Sequence, residues 1–142
     1  MSKSDAFEND LLDLILNAVA IANVADDAAT SPLTVLHVAL HTADPGDAGN
    51  QTTNECAYTS YARVTVARDG TQWAIAGGVA TLNNNIDFPE ATGGTETATH
   101  FSLGKLASGA GEIIYSGTLT PNISITTGTI PRVASGSTIT ET

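Results

Sequence analysis

The feature that most constrains the fold is a hydrophobic period of two residues that begins after Pro32. In residues 34–41, every second residue is apolar or Thr, which is typical of a half-buried strand. Similar short segments recur between turn residues about every 8–12 residues, as in sandwiches and barrels. The sequence therefore predicts a mostly β fold over residues 33–142: an antiparallel β-sandwich or jelly-roll-like barrel of about eight short strands.

Several local patterns make this prediction specific. Gly77-Gly78 separates two apolar segments and predicts a two-residue hairpin turn, and Ile86–Pro89 predicts a short edge strand that ends at proline. Residues 61–68 predict a strand with Ala62, Val64 and Val66 facing inward and Tyr61, Arg63 and Thr65 facing outward. A later strand is expected to span residues 112–120 and to end before Pro121.

One amphipathic α-helix is predicted at residues 5–24. Asp5 is the expected N-cap, with Glu8 as its capping-box partner. Because its apolar surface is wider than a single stripe, we expect both the sheet and a neighbouring subunit to cover the helix. No linker divides the chain, so one domain over residues 1–142 is predicted. The apolar positions are Phe7, Leu11, Leu14, Ala18 and Ile21 on one line, widened by Leu12, Ile15, Leu16 and Val19.

The charge balance excludes some partners. The chain has 15 acidic and 5 basic residues, and its formal net charge is −10. So few bases cannot form the basic stripe that phosphate contacts need, which argues against nucleic acid and against an anionic membrane as partners. Charged residues make up only 14% of the chain, so much of the polar surface must be neutral. Neutral hydroxyls are less costly to bury against a neighbour than charges, but the β-propensity of Thr explains its abundance equally well.

Metal and thiol chemistry have little support. Cys56 is the single cysteine, which excludes an intrachain disulfide, and we expect it to be a small buried hydrophobe. His37 and His41 lie four residues apart on one strand, roughly 13 Å from each other, too far to share a metal. His100 could join only one of them. We therefore expect these histidines on an exposed or interface face, and neither a metal nor a cofactor.

The loop that follows the first strand carries oxygen ligands, from Asp44 and Asp47 to Glu55. It lacks the calcium-loop spacing, and Asp-Pro-Gly is itself a turn signature, although a weak structural ion remains open. We expect Tyr61 and Arg63 to order this loop, with Arg63 bound to carbonyls or to Asp47 or Glu55.

Catalysis is not predicted. No serine lies in a G-x-S-x-G turn. Asp87 and Glu90 form one pair of carboxylates, but the aromatic residues that line a sugar cleft make up only 5% of the chain. No apolar stretch approaches the roughly 20 residues that cross a bilayer, and the N-terminus is not a signal peptide. We expect no catalytic residue, and synthesis in a cytoplasm without an export signal.

Several segments together resemble a family of small tailed-phage virion proteins that are often described as tail-fibre-like. These segments are Asn9–Asn17, Leu40–Gly46, Asn54-Glu55, Tyr61–Arg63, Ile86–Pro89 and Thr99–Phe101. The resemblance implies a non-enzymatic structural protein of the virion, assembled in the host bacterial cytoplasm. Because the chain has no heptads or fibre repeats, a capsid cement or decoration protein is the favoured function. A tail-fibre or tail-tip component is the alternative, and a small β-sandwich binding module is a further one.

The same resemblance implies self-association, as a homotrimer, and contact with the major capsid protein or another virion protein. Candidate interface residues come from the first strand, the acidic loop with its ordering residues, and the wide helix surface. They are Val35, His37 and His41; Asp44, Asp47, Glu55, Tyr61 and Arg63; and Leu12, Ile15, Leu16 and Val19. The Thr-rich tail after Ser135 is a further candidate.

Overall fold

The computed structural model describes residues 4–21 and 33–140. The described residues form one helix and nine strands, which confirms the prediction of a mostly β fold with an N-terminal helix. In chain order they are α1 (Asp5–Leu16), β1 (Val35–His41), β2 (Val64–Ala67), β3 (Trp73–Ala76), β4 (Val79–Leu82), β5 (Ile86–Asp87), β6 (Glu96–Gly104), β7 (Ile113–Ile125), β8 (Arg132–Val133) and β9 (Thr138–Thr140).

The strands form three antiparallel sheets. Their orders are β2-β1-β6-β7, β3-β4-β9 and β5-β8. Each of these sheets, as far as the chain is described, is open and not closed into a barrel. Within residues 4–21 and 33–140, no helix has the length and apolar character needed to cross a membrane.

The chain contacts divide into two compact units. One comprises residues 1–35, 67–85 and 134–142 as far as they are described, and the other comprises residues 36–66 and 86–133. We call them the helical unit and the sheet unit. The single domain expected over residues 1–142 stays a prediction.

The sheet unit is built around β1 and β6. These strands pair from His37 opposite Gly104 to His41 opposite His100. The expected half-buried pattern fails along β1, because every residue from Val38 to His41 is buried. Both faces of its second half are therefore covered. The prediction of one exposed face was wrong, because the alternation of residue types along the sequence indicates a strand but does not show which other segments pack on its two faces.

Strand β7 continues past its predicted end. It runs through Pro121 to Ile125, and its register with β6 shifts between Ala98 and His100. The prediction that the strand stops before Pro121 was therefore wrong. Residues 119–122 have no register partner on β6, so the missing N–H of Pro121 costs no bond of this ladder. The predicted short strand before Pro89 is confirmed as β5, which pairs with β8.

In the helical unit, α1 begins one residue earlier than its predicted cap. Ser4 has extended φ and ψ angles of −81° and 151°, and its hydroxyl accepts a hydrogen bond from the N–H of Phe7 at 3.4 Å. Asp5 is already helical, so it cannot serve as the N-cap, which needs a non-helical backbone.

The helix also ends earlier than predicted, at Leu16 instead of residue 24. Asn17 is the C-cap, and Ala18 takes a positive φ of 56°, a left-handed conformation that turns the chain out of the helix. The N–H of Val19 then bonds to the Asp13 carbonyl at 3.1 Å. The apolar residues that follow Leu16 therefore lie in non-helical chain as far as Ile21. Residues 22–24 of the predicted helix lie outside the described residues.

The helix packs against β3 and β4, with Leu12 and Leu16 fully buried. The predicted hairpin is confirmed, because Gly77 and Gly78 connect these strands with φ of 60° and 72°. Positive φ at both central residues is the type I′ geometry that matches strand twist. The side-chain oxygen of Asn9 accepts the N–H of Gly78 at 2.6 Å, so the helix is bonded directly to the turn.

Arg68 holds the C-terminal turn of α1. Its guanidinium donates to the carbonyls of Leu14 at 2.7 Å and Ile15 at 2.6 Å, and also to the carbonyl of Leu33. The last carbonyls of a helix have no partner within the helix. The planar guanidinium supplies two of them, those of Leu14 and Ile15, with donors at once, whereas an ammonium does not have this forked geometry.

We expect Arg68→Lys to lower the free energy of unfolding by about 1.5–3 kcal/mol, because two or more charge-assisted bonds to carbonyls are lost. Chemical denaturation followed by circular dichroism measures this change. Arg132→Lys is the matched control. Its ion pair with Asp87 is about half exposed, so we expect a much smaller loss than for Arg68→Lys. Equal losses in the two variants would contradict the capping role of Arg68.

Candidate functional site

The loop over residues 42–56, which we call the acidic loop, is closed by its own backbone. The N–H of Thr42 bonds to the Asn54 carbonyl at 2.8 Å, and the N–H of Cys56 bonds to the Leu40 carbonyl at 2.8 Å. Within the loop, an Asp44 carboxylate oxygen accepts the N–H of Gly46 at 2.9 Å, which is the turn geometry expected for Asp-Pro-Gly. The acidic loop therefore has a defined structure, and its backbone hydrogen bonds close it at the end of β1.

A buried ion pair holds the end of this loop. Arg63 Nε donates to Glu55 Oε1 at 2.7 Å, and Arg63 Nη2 donates to Glu55 Oε2 at 2.8 Å. The Arg63 and Glu55 side chains are 2% and 16% exposed. The predicted bond from Arg63 to Glu55 is confirmed. The prediction that Arg63 faces outward was wrong, because its partners enclose it.

The remaining donors of Arg63 reach a second loop, residues 105–111. Nη1 donates to the Leu106 carbonyl at 2.9 Å, and Nη2 donates to the Gly109 carbonyl at 2.8 Å. The predicted bonds to carbonyls are thus confirmed as well. The hydrogen bonds with Glu55 raise the pKa of Arg63, so its charge is permanent. One guanidinium therefore joins the acidic loop to the β6–β7 connection.

Tyr61 provides a further hydrogen bond to the Glu55 carboxylate. Its hydroxyl donates to Glu55 Oε1 at 2.9 Å and accepts the N–H of Leu40 at 3.1 Å. Its ring is stacked parallel to that of Phe88, with 6.3 Å between the ring centroids, and makes an edge contact with the ring of Tyr58, with 5.3 Å between the centroids. Burial raises the pKa of Tyr61, which keeps the hydroxyl protonated and able to donate. Tyr61 thus points into the protein, contrary to its predicted outward orientation.

Gln51 fills the space between the acidic loop and the β6–β7 connection. It is fully buried, and its Oε1 accepts the N–H of Leu106 at 3.0 Å. A Cβ on Gly104 would lie 2.3 Å from its Cδ, and one on Gly111 would lie 2.1 Å from its Oε1. Glycine is required at both positions by this close approach. Sequence analysis missed Gln51, since only the two flanking glycines give a signal and it is weak.

His41 lies in the same buried network. It is 0% exposed, with Nδ1 2.8 Å from the Thr53 carbonyl and Nε2 2.8 Å from Ser102 Oγ. Because a carbonyl only accepts, Nδ1 carries the proton and the Ser102 hydroxyl donates to Nε2. Burial lowers the pKa of His41. The expectation that His41 lies on an exposed face was wrong, because the acidic loop folds over the end of β1.

The other histidines bind hydroxyl groups. His37 Nδ1 lies 3.3 Å from Thr65 Oγ1, and His100 Nδ1 lies 2.9 Å from Thr99 Oγ1. His100 is the register partner of His41. In residues 4–21 and 33–140, no group of three His, Cys, Asp or Glu side chains is arranged to hold a metal ion.

The remaining candidates for chemistry are also engaged. Cys56 is 2% exposed, as expected for a small buried hydrophobe, and burial together with the Glu96 carboxylate raises its pKa to about 12. Such a thiol is not a nucleophile at neutral pH. Asp87 forms a two-pronged ion pair with Arg132, and the hydrogen bond from Arg132 lowers the pKa of Asp87. A carboxylate held in this way is not a general acid.

One concave surface lies beside the acidic loop. Its volume is about 450 Å³, and it is open to solvent. Its lining comes from the acidic loop and from the start of β7: Gly46, Asp47, Gly49 and residues 112–116. The carboxylate of Glu112, at its edge, is paired with Lys105.

The predicted interface residues fall into three groups in the structure. Buried residues cannot present side chains to a partner without rearrangement, whereas exposed ones can; the interface assignment itself stays a prediction. Leu12, Leu16 and His41 are buried, and Glu55, Tyr61 and Arg63 form the inner network; Ile15, Val35 and His37 are half-buried; Val19, Asp44 and Asp47 are exposed.

We expect Glu55→Gln to lower the free energy of unfolding by about 3–5 kcal/mol, because it leaves the charge of Arg63 buried without its counterion. Glu112→Gln is the matched control. The Glu112 and Lys105 side chains are 68% and 46% exposed, so we expect a loss below about 1 kcal/mol. Urea denaturation measures both changes. A small loss for Glu55→Gln would show that the pair is not needed for folding.

We expect acid to destabilise the protein through His41 as the pH falls from about 7.5 to about 5.5. Its folded pKa is lowered, so the unfolded chain binds more protons below its own pKa of about 6.5, and stability is lost as the pH falls. Each such histidine adds a slope of up to about 1.4 kcal/mol per pH unit. His41→Gln should be less stable at the higher pH but should show a shallower slope.

Urea denaturation over this pH range measures the slope. His100→Gln is the control, since it leaves His41 in place and should keep the slope that His41 causes. An unchanged slope in His41→Gln would refute the assignment.

Comparison with known proteins identifies the family. A family model described as podophage GP4 fiber I protein gp80 matches residues 2–141, nearly the whole chain. No curated protein matches it. The match confirms the resemblance to phage virion structural proteins that the sequence motifs indicated. The chain belongs to the podophage GP4 fiber I protein gp80 family, a family of phage virion structural proteins.

Proposed function

We propose that this chain is a structural subunit of a fibre on a podophage-type virion. The observation that carries the proposal is the family match over residues 2–141, whose description names a fibre protein. Sequence analysis favoured a capsid cement or decoration protein, with a tail-fibre or tail-tip component as the alternative. The family description favours that alternative over the cement function. It gives no support to the small binding module.

The proposed role is mechanical and not catalytic. The acidic loop is held by Glu55 and Arg63, and buried Gln51 fills the space beneath it. Such fully satisfied polar networks fix a single surface shape. The groups that could do chemistry are engaged elsewhere: His41 in a buried pair of hydrogen bonds, Cys56 as a protonated thiol and Asp87 in an ion pair.

The proposed partners are further copies of this chain and another virion protein, reached after assembly in the host bacterial cytoplasm. Four of the five basic residues are bound within the chain: Arg63 to Glu55, Arg68 to backbone carbonyls, Lys105 to Glu112 and Arg132 to Asp87. Lys3 lies outside the described residues. With the basic groups so engaged, nucleic acid and anionic membranes are unfavourable partners.

Electron microscopy of virions labelled with antibody against the purified chain tests the fibre function. We expect gold particles along fibres attached to the tail, and we expect Fab fragments of the same antibody to slow adsorption to host cells. Virions treated with pre-immune antibody are the control. Labelling spread over the head surface, together with binding of the pure protein to expanded heads, would replace the fibre proposal with the cement function.

A further inference from the structure

Most of the acidic loop buries little apolar surface. We call residues 42–54 the flap. Within it only Pro45 and Gln51 are buried, and its apolar side chains are those of Ala43, Pro45 and Ala48. A segment with few buried apolar contacts opens at a lower free energy than the core of the same protein. The flap can therefore open locally while the strands beneath it stay folded.

Hydrogen bonds, rather than apolar packing, hold the flap against the sheet. The N–H of Gln51 donates to the Gly111 carbonyl at 2.9 Å, and the Thr53 carbonyl accepts a bond from His41 Nδ1 at 2.8 Å. The flap begins directly after His41, the last residue of β1, and ends directly before Glu55, which is fixed by its buried ion pair. Both ends are thus anchored, and His41 lies at the base of the segment that can move.

A protonated His41 does not fit beneath the closed flap. The neutral ring already uses both nitrogens, with Nδ1 on the Thr53 carbonyl and Nε2 accepting from the Ser102 hydroxyl. A second ring proton makes Nε2 a donor, so the Ser102 hydroxyl has to accept and loses the acceptor that it has now. His41 and Ser102 are both 0% exposed. In such a site an unpaired polar group and a desolvated charge both raise the free energy.

The charged and titratable groups around the ring do not offset this cost. Glu55 attracts a positive charge on His41, whereas Arg63 and His100 repel it. Both carboxylate oxygens of Glu55 are already bonded to Arg63, and His100 lies directly opposite His41 on β6. Burial has the largest effect and lowers the pKa of His41. The closed flap therefore favours the neutral ring.

We propose that the flap is a pH-sensitive lid that moves away from the sheet when His41 is protonated, while β1 and β6 stay paired. Opening brings water to the ring, where the charged form is no longer penalised. Gly46, Asp47 and Gly49 of the flap line one side of the concave surface beside the acidic loop, so opening also removes that side. This lid is a property of the chain beyond the proposed fibre function and does not rest on it.

Proton linkage gives the sign and size of the pH dependence. In the open form His41 has the ordinary pKa of about 6.5, whereas in the closed form it stays neutral to lower pH, so the open form binds more protons as the pH falls. The equilibrium constant for opening should therefore rise by up to about tenfold from about pH 7.5 to about pH 5.5, and should be nearly constant at higher pH.

Native-state hydrogen exchange in low concentrations of urea, followed by NMR and corrected for the intrinsic rate at each pH, tests the lid in the wild-type chain. The reporters are the N–H groups of Gln51 and Leu106, because their acceptors are Gly111 and the Gln51 side chain and both bonds break on opening. Their exchange should depend only weakly on urea, since local opening exposes little surface. It should also accelerate by up to about tenfold over the stated pH range.

The amides that β1 and β6 share are the internal reference. They should be better protected than the reporters, and their exchange should depend strongly on urea because it requires global unfolding. Equal protection and equal urea dependence at the flap and in this strand pair would show that the flap opens only with the whole fold, which would overturn the proposal. An opening constant that does not change with pH would overturn it as well.

Two matched variants assign the pH dependence to one ring. His41→Gln removes the titrating group and should abolish the rise in flap opening at low pH. His100→Gln keeps His41 and should retain the rise. A rise that survives in His41→Gln would mean that another group controls the flap. If His41→Gln does not fold, the comparison of reporters and reference amides in the wild-type chain still decides. No outcome depends on where the protein lies on the virion, so the fibre proposal is tested separately.

Discussion

The sheet unit depends on the buried ion pair between Glu55 and Arg63. Burying two charges costs several kcal/mol for each ion unless their remaining hydrogen-bonding capacity is met. Here it is met, because Tyr61 donates to the carboxylate while the guanidinium also reaches the carbonyls of Leu106 and Gly109. The pair thus sets where both loops lie. The same ion pair on the protein surface would contribute much less to holding the two loops in place.

The two loops then determine what happens to the end of β1. Once the acidic loop lies over this strand, His41 loses its access to solvent and finds Thr53 and Ser102 as partners. The space that remains admits Gln51 only because positions 104 and 111 have no Cβ. A single cooperative unit therefore comprises the Glu55–Arg63 ion pair, the hydrogen-bonding side chains of His41 and Gln51, and the glycines at positions 104 and 111. Each member would be costly without the others, since unsatisfied polar groups are penalised in a buried site.

The proposed structural function depends on this fixed shape and does not call on a reactive group. A virion structural protein must present the same shape in many copies, and buried networks of this kind specify one shape. The net charge of −10 makes free chains repel one another. The family match and the described structure are consistent in this respect, because neither requires catalysis.

The sequence by itself determined the mostly β class, the Gly77-Gly78 hairpin and the bond from Arg63 to Glu55, because periodicity, turn chemistry and charge pairing are local or depend on few candidates. Only the tertiary structure decided that α1 ends at Leu16, that β7 passes through Pro121 and that Tyr61, Arg63 and His41 point inward. The physical reason is that alternation gives the direction of a side chain relative to its own strand. Whether that direction is solvent or core depends on which distant loop packs there, and no local pattern carries that information.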